Sequence, residues 1–194
     1  MLNNGKVGRI DVIIGCMYSG KTTEVIRQIN IWKSIGKNVL SINHTFDDRY
    51  SEKNDICSHD IIKSSCIKVK NLKEVSSELI NNADVIVVDE AQFFPDLVDN
   101  CVKWCEEYGK DIIVSGLDGD FNRQPFLDCQ LLKLIPYAET VTKCEAFCQL
   151  CKNGTLAPFS WRTTDSKDQI KIGSTGDYIA VCRKHRKELE NKKN

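Results

Sequence analysis

The sequence has no excess of charge of either sign: 27 lysine and arginine residues stand against 27 aspartate and glutamate residues in a chain of 194. No summed electrostatic field therefore draws the protein towards nucleic acid or an anionic membrane. The chain also lacks an apolar run of the roughly 18 to 20 residues that a transmembrane helix requires. These absences predict that neither nucleic acid nor a membrane is a partner.

The first ten residues, MLNNGKVGRI, lack the apolar core of a secretory signal peptide. We therefore expect a reducing compartment, the cytoplasm, in which the ten cysteines are buried thiols, metal ligands or catalytic groups. With 41% hydrophobic residues, the chain is long enough for one compact domain, or for a domain with a small appendage.

Strand-like and helix-like patterns alternate along the first two thirds of the chain. Short apolar stretches typical of strands are VGRIDVII (7–14), NVLSIN (38–43), ADVIVVDE (83–90) and DIIVSGL (111–117). Two stripes at helical spacing lie between them: Val25, Ile26, Ile29 and Trp32, and then Leu97, Val98, Cys101, Val102 and Cys105. The pattern predicts an α/β domain over residues 1–142, with a parallel sheet and helices on both faces.

A phosphate-binding pattern lies between the first predicted strand and helix. It runs Gly15, Cys16, Met17, Tyr18, Ser19, Gly20, Lys21 and Thr22. Glycines let such a loop approach phosphates, Lys21 would neutralise the β and γ groups, and Thr22 would offer its hydroxyl to magnesium. The alternative is a glycine turn with a solvated lysine. The strand-to-helix context favours bound ATP.

Two acids, Asp89 and Glu90, end the apolar stretch 83–90. Asp89 could order magnesium and its water shell while Glu90 faces the nucleophile as general base. The alternative is an acidic pair at a helix N-terminus. These residues alone leave open whether the phosphate acceptor is water or a substrate hydroxyl.

Two ligand pairs, Cys148-x-x-Cys151 and Cys182-x-x-His185, lie 30 residues apart. Such spacing is typical of structural zinc, with buried thiols as the alternative. We predict a small zinc-binding subdomain over residues 143–186, and a polar tail over residues 187–194 that need not be ordered. Cys101 and Cys105 are predicted to be ordinary core residues.

Several strings in order resemble the small, zinc-containing thymidine kinases of animal cells, many bacteria and large DNA viruses. They cover about Val7 to Arg186 and read GCMYSGKT, DDRYS, SHD, DEAQFFPD, LDGDFNRQPF, LLKLIPYAETVTK, FSWR and IGSTGDYIAVCRKH. The resemblance implies a RecA-like fold and transfer of the γ-phosphoryl group of ATP to the 5′-hydroxyl of thymidine. The cofactors implied are ATP, Mg²⁺ and structural Zn²⁺, and the process is nucleoside salvage for DNA synthesis.

The resemblance also implies residue roles. Glu90 would be the general base, and Lys21 and Arg49 would stabilise the transferred charge. Asp47, Asp48 and Arg49 match positions near the phosphates, where the alternative is a surface ion pair. Gln92 matches a position near the nucleoside.

A nucleoside pocket follows in the same way. Met17, Phe93, Leu117 and Phe121 match positions around the thymine base, where aromatic walls suit a flat heterocycle. Gln169, Ile170, Lys171, Ile172 and Gly173 match a loop that recognises the base mostly through backbone groups, with Tyr178 as its anchor. Taken one at a time, these aromatic residues could equally be core.

Cys148, Cys151, Cys182 and His185 match the four metal positions of the family, and the metal would stabilise the base of a substrate-covering loop. Homotetramers and feedback inhibition by thymidine triphosphate are also implied. One departure is Asp120, which replaces a small hydroxyl residue and could alter phosphate or nucleoside preference.

Two other functions fit parts of the sequence. A RecA-like ATPase whose zinc unit binds nucleic acid would share the phosphate loop, although the neutral charge disfavours it. A zinc-stabilised interaction protein with an inactive nucleotide site would be the third, but Lys21, Thr22, Asp89 and Glu90 are all present.

Overall fold

The computed structural model describes residues 5, 7–46, 55–57, 63–126, 130–165, 168–170 and 176–193. Its strands are β1 (Ile10–Gly15), β2 (Val39–His44), β3 (Asp55–Cys57), β4 (Lys63–Ser65), β5 (Ile67–Val69), β6 (Val85–Val88), β7 (Asp111–Leu117), β8 (Thr140–Cys144), β9 (Ala146–Phe147), β10 (Leu156–Ala157), β11 (Phe159–Arg162) and β12 (Tyr178–Val181). Its α-helices are α1 (Lys21–Ser34), α2 (Ser77–Asn82), α3 (Leu97–Glu106), α4 (Gln130–Lys133) and α5 (Arg183–Lys193). Single 3₁₀ turns lie at Leu72–Glu74, Ala91–Phe93 and Ile135–Tyr137.

Six strands form one sheet in the order β5-β2-β6-β7-β1-β8, and every neighbouring pair is parallel. Alternate residues of β6 lie on opposite faces. Val85 and Val87 pack with α1, whereas Ile86 and Val88 pack with α3 and α4. Both faces are therefore apolar, which explains the continuous hydrophobic run of this strand. The predicted α/β fold, with helices on both faces of a parallel sheet, is confirmed.

The two predicted helical stripes are buried as their periodicity indicates. In α1 the buried residues are Val25, Ile26 and Ile29. In α3 they are Leu97, Cys101, Trp104 and Cys105. Burial raises the pKa of the Cys101 thiol, and it raises that of Cys105 to about 11, so both cysteines are the core residues that the sequence predicted.

The C-terminal part is built from two small hairpins and α5. Strands β9 and β10 pair antiparallel, as do β11 and β12. Their buried side chains form a separate apolar cluster that includes Ala157, Trp161 and Val181, and Cys16 of the phosphate loop is a member of it. The predicted polar segment is helical as far as Lys193, and Lys187 is exposed on it. The domain limits at residues 142 and 186 stay predictions.

Within the described ranges of the chain, no helix has the length and apolar character needed to traverse a bilayer. The carboxyl ends of β1, β6 and β7 meet at one edge of the sheet because these strands are parallel neighbours. That edge is where open α/β sheets bind ligands. The segments that follow these three strands carry the phosphate loop, the acidic pair and Phe121.

Candidate active site

The phosphate loop leaves β1 at Gly15 and enters α1 at Lys21. A side chain at Gly15 would put its Cβ 2.4 Å from the carbonyl oxygen of Cys144 and 2.8 Å from Ser19 Oγ, so only glycine fits. Gly20 caps α1 with φ of 82°. Because glycine has no side chain, Gly20 leaves the first-turn N–H groups of α1 to an anion.

Polar groups of the loop are arranged around this turn. Lys21 Nζ donates to the carbonyl oxygen of Cys16 over 2.8 Å, which folds the lysine back across the loop. Ser19 Oγ is buried and has no hydrogen-bond partner among the described residues. Buried hydroxyls are normally satisfied, so Ser19 is a donor that fits a phosphate oxygen. The contact between the Thr22 hydroxyl and magnesium stays a prediction.

The loop also rests on the C-terminal unit, which the sequence did not indicate. The Met17 N–H donates to Ser160 Oγ over 3.0 Å, and Cys16 Sγ donates to the carbonyl oxygen of Ala157 over 3.1 Å. Burial raises the pKa of the Cys16 thiol. Cys16 is therefore a neutral packing group that ties the phosphate loop to β10.

Glu90 follows β6 in a left-handed conformation, with φ of 51° and ψ of 37°. Such a conformation costs a non-glycine residue about 1 to 3 kcal/mol and recurs at functional sites. Its backbone N–H is held by Asp89 Oδ1 over 3.0 Å. Asp89 is only 5% exposed, whereas Glu90 is partly exposed. The two adjacent acids thus meet different surroundings.

Gln92 sets the direction of the Glu90 carboxylate. Its Nε2 donates to Glu90 Oε2 over 2.6 Å, and its Oε1 accepts the Leu117 N–H over 2.9 Å. A Cβ on Gly116 would lie 2.5 Å from Gln92 Oε1, so that glycine makes room for the amide. One side chain therefore spans the ends of β6 and β7 and holds the carboxylate at the sheet edge.

Phe93 belongs to an aromatic cluster with residues that the sequence analysis did not single out. The ring centroid of Phe93 lies 5.6 Å from that of His44, 5.6 Å from that of Phe46 and 5.9 Å from that of Phe126. The Phe46 N–H donates to His44 Nδ1 over 3.1 Å, and burial lowers the pKa of His44. Their position in the sequence could have indicated this cluster. His44 is the last residue of β2 and Phe46 lies two residues later, where ligands bind in open α/β sheets.

Phe121 and Tyr178 are joined by Arg162, another residue that the sequence analysis did not single out. The guanidinium carbon of Arg162 lies 3.9 Å from the Phe121 ring centroid and 5.1 Å from that of Tyr178. Its nitrogens donate to Tyr178 Oη, to the carbonyl oxygen of Gln169 over 3.1 Å, and to that of Asp168. Arg162 thereby holds residues 168–169 beside Phe121.

Asp120, the departure from the family pattern, accepts three hydrogen bonds from its surroundings, and its effect on phosphate or nucleoside preference stays a prediction. Its Oδ1 accepts the N–H groups of Asn122 and Gln124, each over 2.8 Å, and so closes the turn that carries Phe121. Its Oδ2 accepts Gln169 Nε2 over 3.0 Å. The side chain of Gln169 therefore joins this loop to the turn. Recognition of the base mostly through backbone groups of the loop stays a prediction.

The other predicted pocket residues have simpler placements. Met17, Leu117 and Ile170 are partly exposed, at the ends of segments that converge on this edge. Six predicted site residues lie outside the described residues: Asp47, Asp48, Arg49, Lys171, Ile172 and Gly173.

The four predicted metal ligands come together. Their ligand atoms all lie within 4.8 Å of one another. His185 Nδ1 is 3.4 Å from Cys148 Sγ, 3.3 Å from Cys151 Sγ and 3.5 Å from Cys182 Sγ, and Cys151 Sγ is 3.8 Å from Cys182 Sγ. Tetrahedral zinc, with Zn–S of about 2.3 Å and Zn–N of about 2.1 Å, requires edges of about 3.5 to 3.8 Å. The cluster fits structural zinc.

Cys148 has the acidity expected of a metal-binding thiol. Burial acts to raise its pKa, but hydrogen bonds from the backbone N–H groups of Cys182, Cys151 and Leu150 and from His185 outweigh burial and lower the pKa to about 6. The Cys182 N–H lies 3.3 Å from Cys148 Sγ. Thiolates are the form in which cysteine binds zinc.

Comparison with known proteins agrees with this arrangement. A family model described as thymidine kinase matches residues 8–186. A thymidine kinase of Yaba monkey tumor virus (strain VR587) is 41% identical over 180 residues, covering 93% of this chain and 95% of the viral protein. A thymidine kinase of Oryza sativa subsp. japonica is 39% identical over 183 residues, covering 92% of this chain and 66% of the rice protein. Thymidine kinase a of Arabidopsis thaliana is 39% identical and is covered to 74%. The chain therefore belongs to the thymidine kinase family.

Proposed function

We propose that this protein transfers the γ-phosphoryl group of ATP to the 5′-hydroxyl of thymidine, giving thymidine monophosphate and ADP. The observation that carries the proposal is the Glu90 carboxylate, which Gln92 holds at the same sheet edge as the phosphate loop. A carboxylate in that position can accept the proton of a hydroxyl that attacks the γ-phosphorus. Because the chain belongs to the thymidine kinase family, we propose that thymidine supplies that hydroxyl.

In this proposal the phosphates bind where α1 begins. Lys21 leaves its contact with the Cys16 carbonyl and pairs with the β and γ phosphates, while Ser19 donates its buried hydroxyl. Thr22 and Asp89 would hold magnesium, which supplies charge neutralisation when bound. Arg49, with Asp47 and Asp48, would add charge stabilisation from the segment that follows β2.

The acceptor side follows the polar and aromatic groups around Glu90. Thymine would lie among Met17, Phe93, Leu117 and Phe121, with Gln169 to Gly173 covering it and Tyr178 behind. As the 5′-oxygen forms its bond to the γ-phosphorus, the bond from phosphorus to the bridging β-γ oxygen breaks and ADP leaves. Glu90 takes the hydroxyl proton, and Gln92 keeps its carboxylate aligned.

The zinc unit completes the proposal. Cys148, Cys151, Cys182 and His185 would hold one structural zinc, because their ligand atoms all lie within 4.8 Å of one another and four of the six pairs are 3.3 to 3.8 Å apart, close to the edges of a tetrahedral site. A unit with such small hairpins gains much of its folding energy from a metal. We further propose a homotetramer that acts in the cytoplasm and is inhibited by thymidine triphosphate, on the basis of family membership.

The test measures ADP and thymidine monophosphate in parallel, with purified protein, ATP and magnesium, in the presence and absence of thymidine. Equal amounts of both products, formed only when thymidine is added, would support the kinase. ADP released at the same rate without thymidine would make water the acceptor and favour the ATPase alternative.

A further inference from the structure

Arg186 is a buried cation on α5, the helix that carries the predicted zinc ligand His185 and begins directly after another predicted ligand, Cys182. It is 3% exposed, and it follows His185 directly in α5. Its backbone N–H donates to the carbonyl oxygen of Cys182 over 2.9 Å. Burying a charged side chain is costly unless hydrogen bonds compensate. The partners of Arg186 therefore indicate what the charge does.

The guanidinium of Arg186 joins three segments that are distant in sequence. Nη1 donates to the carbonyl oxygen of Phe121 and, over 3.2 Å, to that of Ser160. Nε donates to Glu190 Oε1 over 2.9 Å. The Arg186 guanidinium carbon lies 4.9 Å from the Trp161 ring centroid. The guanidinium group thus donates hydrogen bonds to backbone carbonyls of the turn after β7 and of β11, and the Glu190 carboxylate fixes its orientation.

The two residues that supply these carbonyls, Phe121 and Ser160, also contact groups of the proposed active site. The Phe121 ring packs under Arg162 in the region proposed for thymine. Ser160 Oγ accepts the N–H of Met17 in the phosphate loop. A displacement of α5 would therefore move Phe121 directly and Met17 through one further hydrogen bond.

We propose that Arg186 is a positioning residue for the nucleoside pocket. It fixes Phe121 and Ser160 relative to the start of α5, where the predicted metal ligands Cys182 and His185 lie. It touches neither reactant. The proposal rests on the proposed thymidine kinase function, since it assigns Phe121 to the nucleoside side. The phosphate loop depends on it less, because Cys16 is held separately by Ala157 and Lys21 belongs to α1.

A lysine at this position would keep the charge but not the planar fork of donors. It cannot donate to Glu190 from one nitrogen while another bridges two carbonyls. We expect Arg186→Lys to weaken thymidine binding about tenfold, the scale of one lost hydrogen bond to a charged group. Affinity for ATP with magnesium should change by less than about threefold, and zinc should remain at one per chain.

The experiment measures dissociation constants for thymidine and for ATP with magnesium, zinc content and Tm for four proteins: wild type, Arg186→Lys, Glu190→Gln and Lys187→Met. Glu190→Gln removes the carboxylate charge at the partly exposed end of the contact, so a smaller loss in the same direction is expected. Glu190 Oε1 also accepts Arg123 Nη2 over 3.2 Å, so this variant weakens a second contact to the turn that carries Phe121. Lys187→Met removes an exposed cation from the neighbouring position and should behave as wild type.

A selective loss of thymidine affinity in Arg186→Lys and Glu190→Gln, with zinc retained, would support positioning. Unchanged thymidine affinity in Arg186→Lys would overturn it. Parallel loss of both ligands together with Tm and zinc would also overturn it, because that pattern marks a purely structural residue. Failure of the proposed function would instead be seen in the wild-type protein, as no thymidine binding at all.

Discussion

Gln92 holds Glu90 through a hydrogen bond of 2.6 Å from its Nε2 to the carboxylate, while the other end of the amide is held by the backbone of Leu117 over 2.9 Å. The proposed base is thus anchored to β7 as well as to its own strand. This matters because phosphoryl transfer depends chiefly on positioning and charge stabilisation.

Replacing Gln92 by methionine is expected to lower kcat by about tenfold to a hundredfold, because the carboxylate loses its orientation. Affinity for ATP with magnesium should stay close to that of wild type in equilibrium dialysis. Gln28→Met is the matched control, since Gln28 also donates its amide to a glutamate, Glu24, over 3.0 Å but on α1. Equal kcat values in the two variants would contradict the positioning of Glu90 by Gln92.

Replacing Glu90 by glutamine should preserve ATP binding and slow transfer by about 10² to 10⁴, the usual scale for a lost general base. The Gln92 contact can persist, because an amide oxygen still accepts. Single-turnover formation of thymidine monophosphate measures the transfer step directly. Near-normal turnover would remove Glu90 from this role.

The contact between Asp120 and Gln169 can be measured by a double-mutant cycle of Asp120→Asn and Gln169→Met. We expect each single change to weaken thymidine binding, and the two to couple by about 1 kcal/mol, because they share one hydrogen bond. Calorimetric titration with thymidine gives the four affinities. Additive losses would show that the contact does not hold the loop.

Cys151→Ser is expected to release the metal and to abolish thymidine binding, while the six-stranded sheet stays folded. Because Cys16 and Met17 contact the C-terminal unit, affinity for ATP should also fall, by about tenfold. Metal analysis and circular dichroism check the two parts. Cys144→Ser, at a partly buried cysteine outside the cluster, is the control, and one zinc per chain in Cys151→Ser would refute this ligand set.

Stability should depend on the protonation of His44. Burial holds the pKa of His44 below the ordinary value of 6.5, partly offset by a hydrogen bond to the Lys70 backbone and by the carboxylates of Glu90 and Glu74. A folded-state pKa below the unfolded one means that unfolding takes up a proton, so the free energy of unfolding falls as the pH drops below about 6.5. Denaturant titrations at pH 8 and pH 5.5 should show a smaller pH effect in His44→Phe. An identical pH effect would exclude His44 as its source.

Local patterns predicted most of the large sheet. The stretches 83–90 and 111–117 contain β6 and β7 because buried parallel strands require continuous apolar residues. β8 was not predicted because it is an outermost strand of the sheet and its residues 140–143 are exposed, so it needs no apolar face. The strand is defined only by its pairing with β1.

By itself, the sequence determined the phosphate loop, the carboxylates that follow β6 and the metal-ligand pairs, because glycine placement, strand ends and ligand spacing are local properties of the chain. Only the tertiary structure decided which side chains orient them. Gln92 and Leu117 are 25 residues apart, Arg186 and Phe121 are 65 apart, and Cys16 and Ala157 are 141 apart. Each of these contacts joins a side chain to a backbone atom, and every residue offers nearly the same backbone groups. Residue identity therefore does not reveal such a partner, and only the packing of the sheet against the zinc unit selects it.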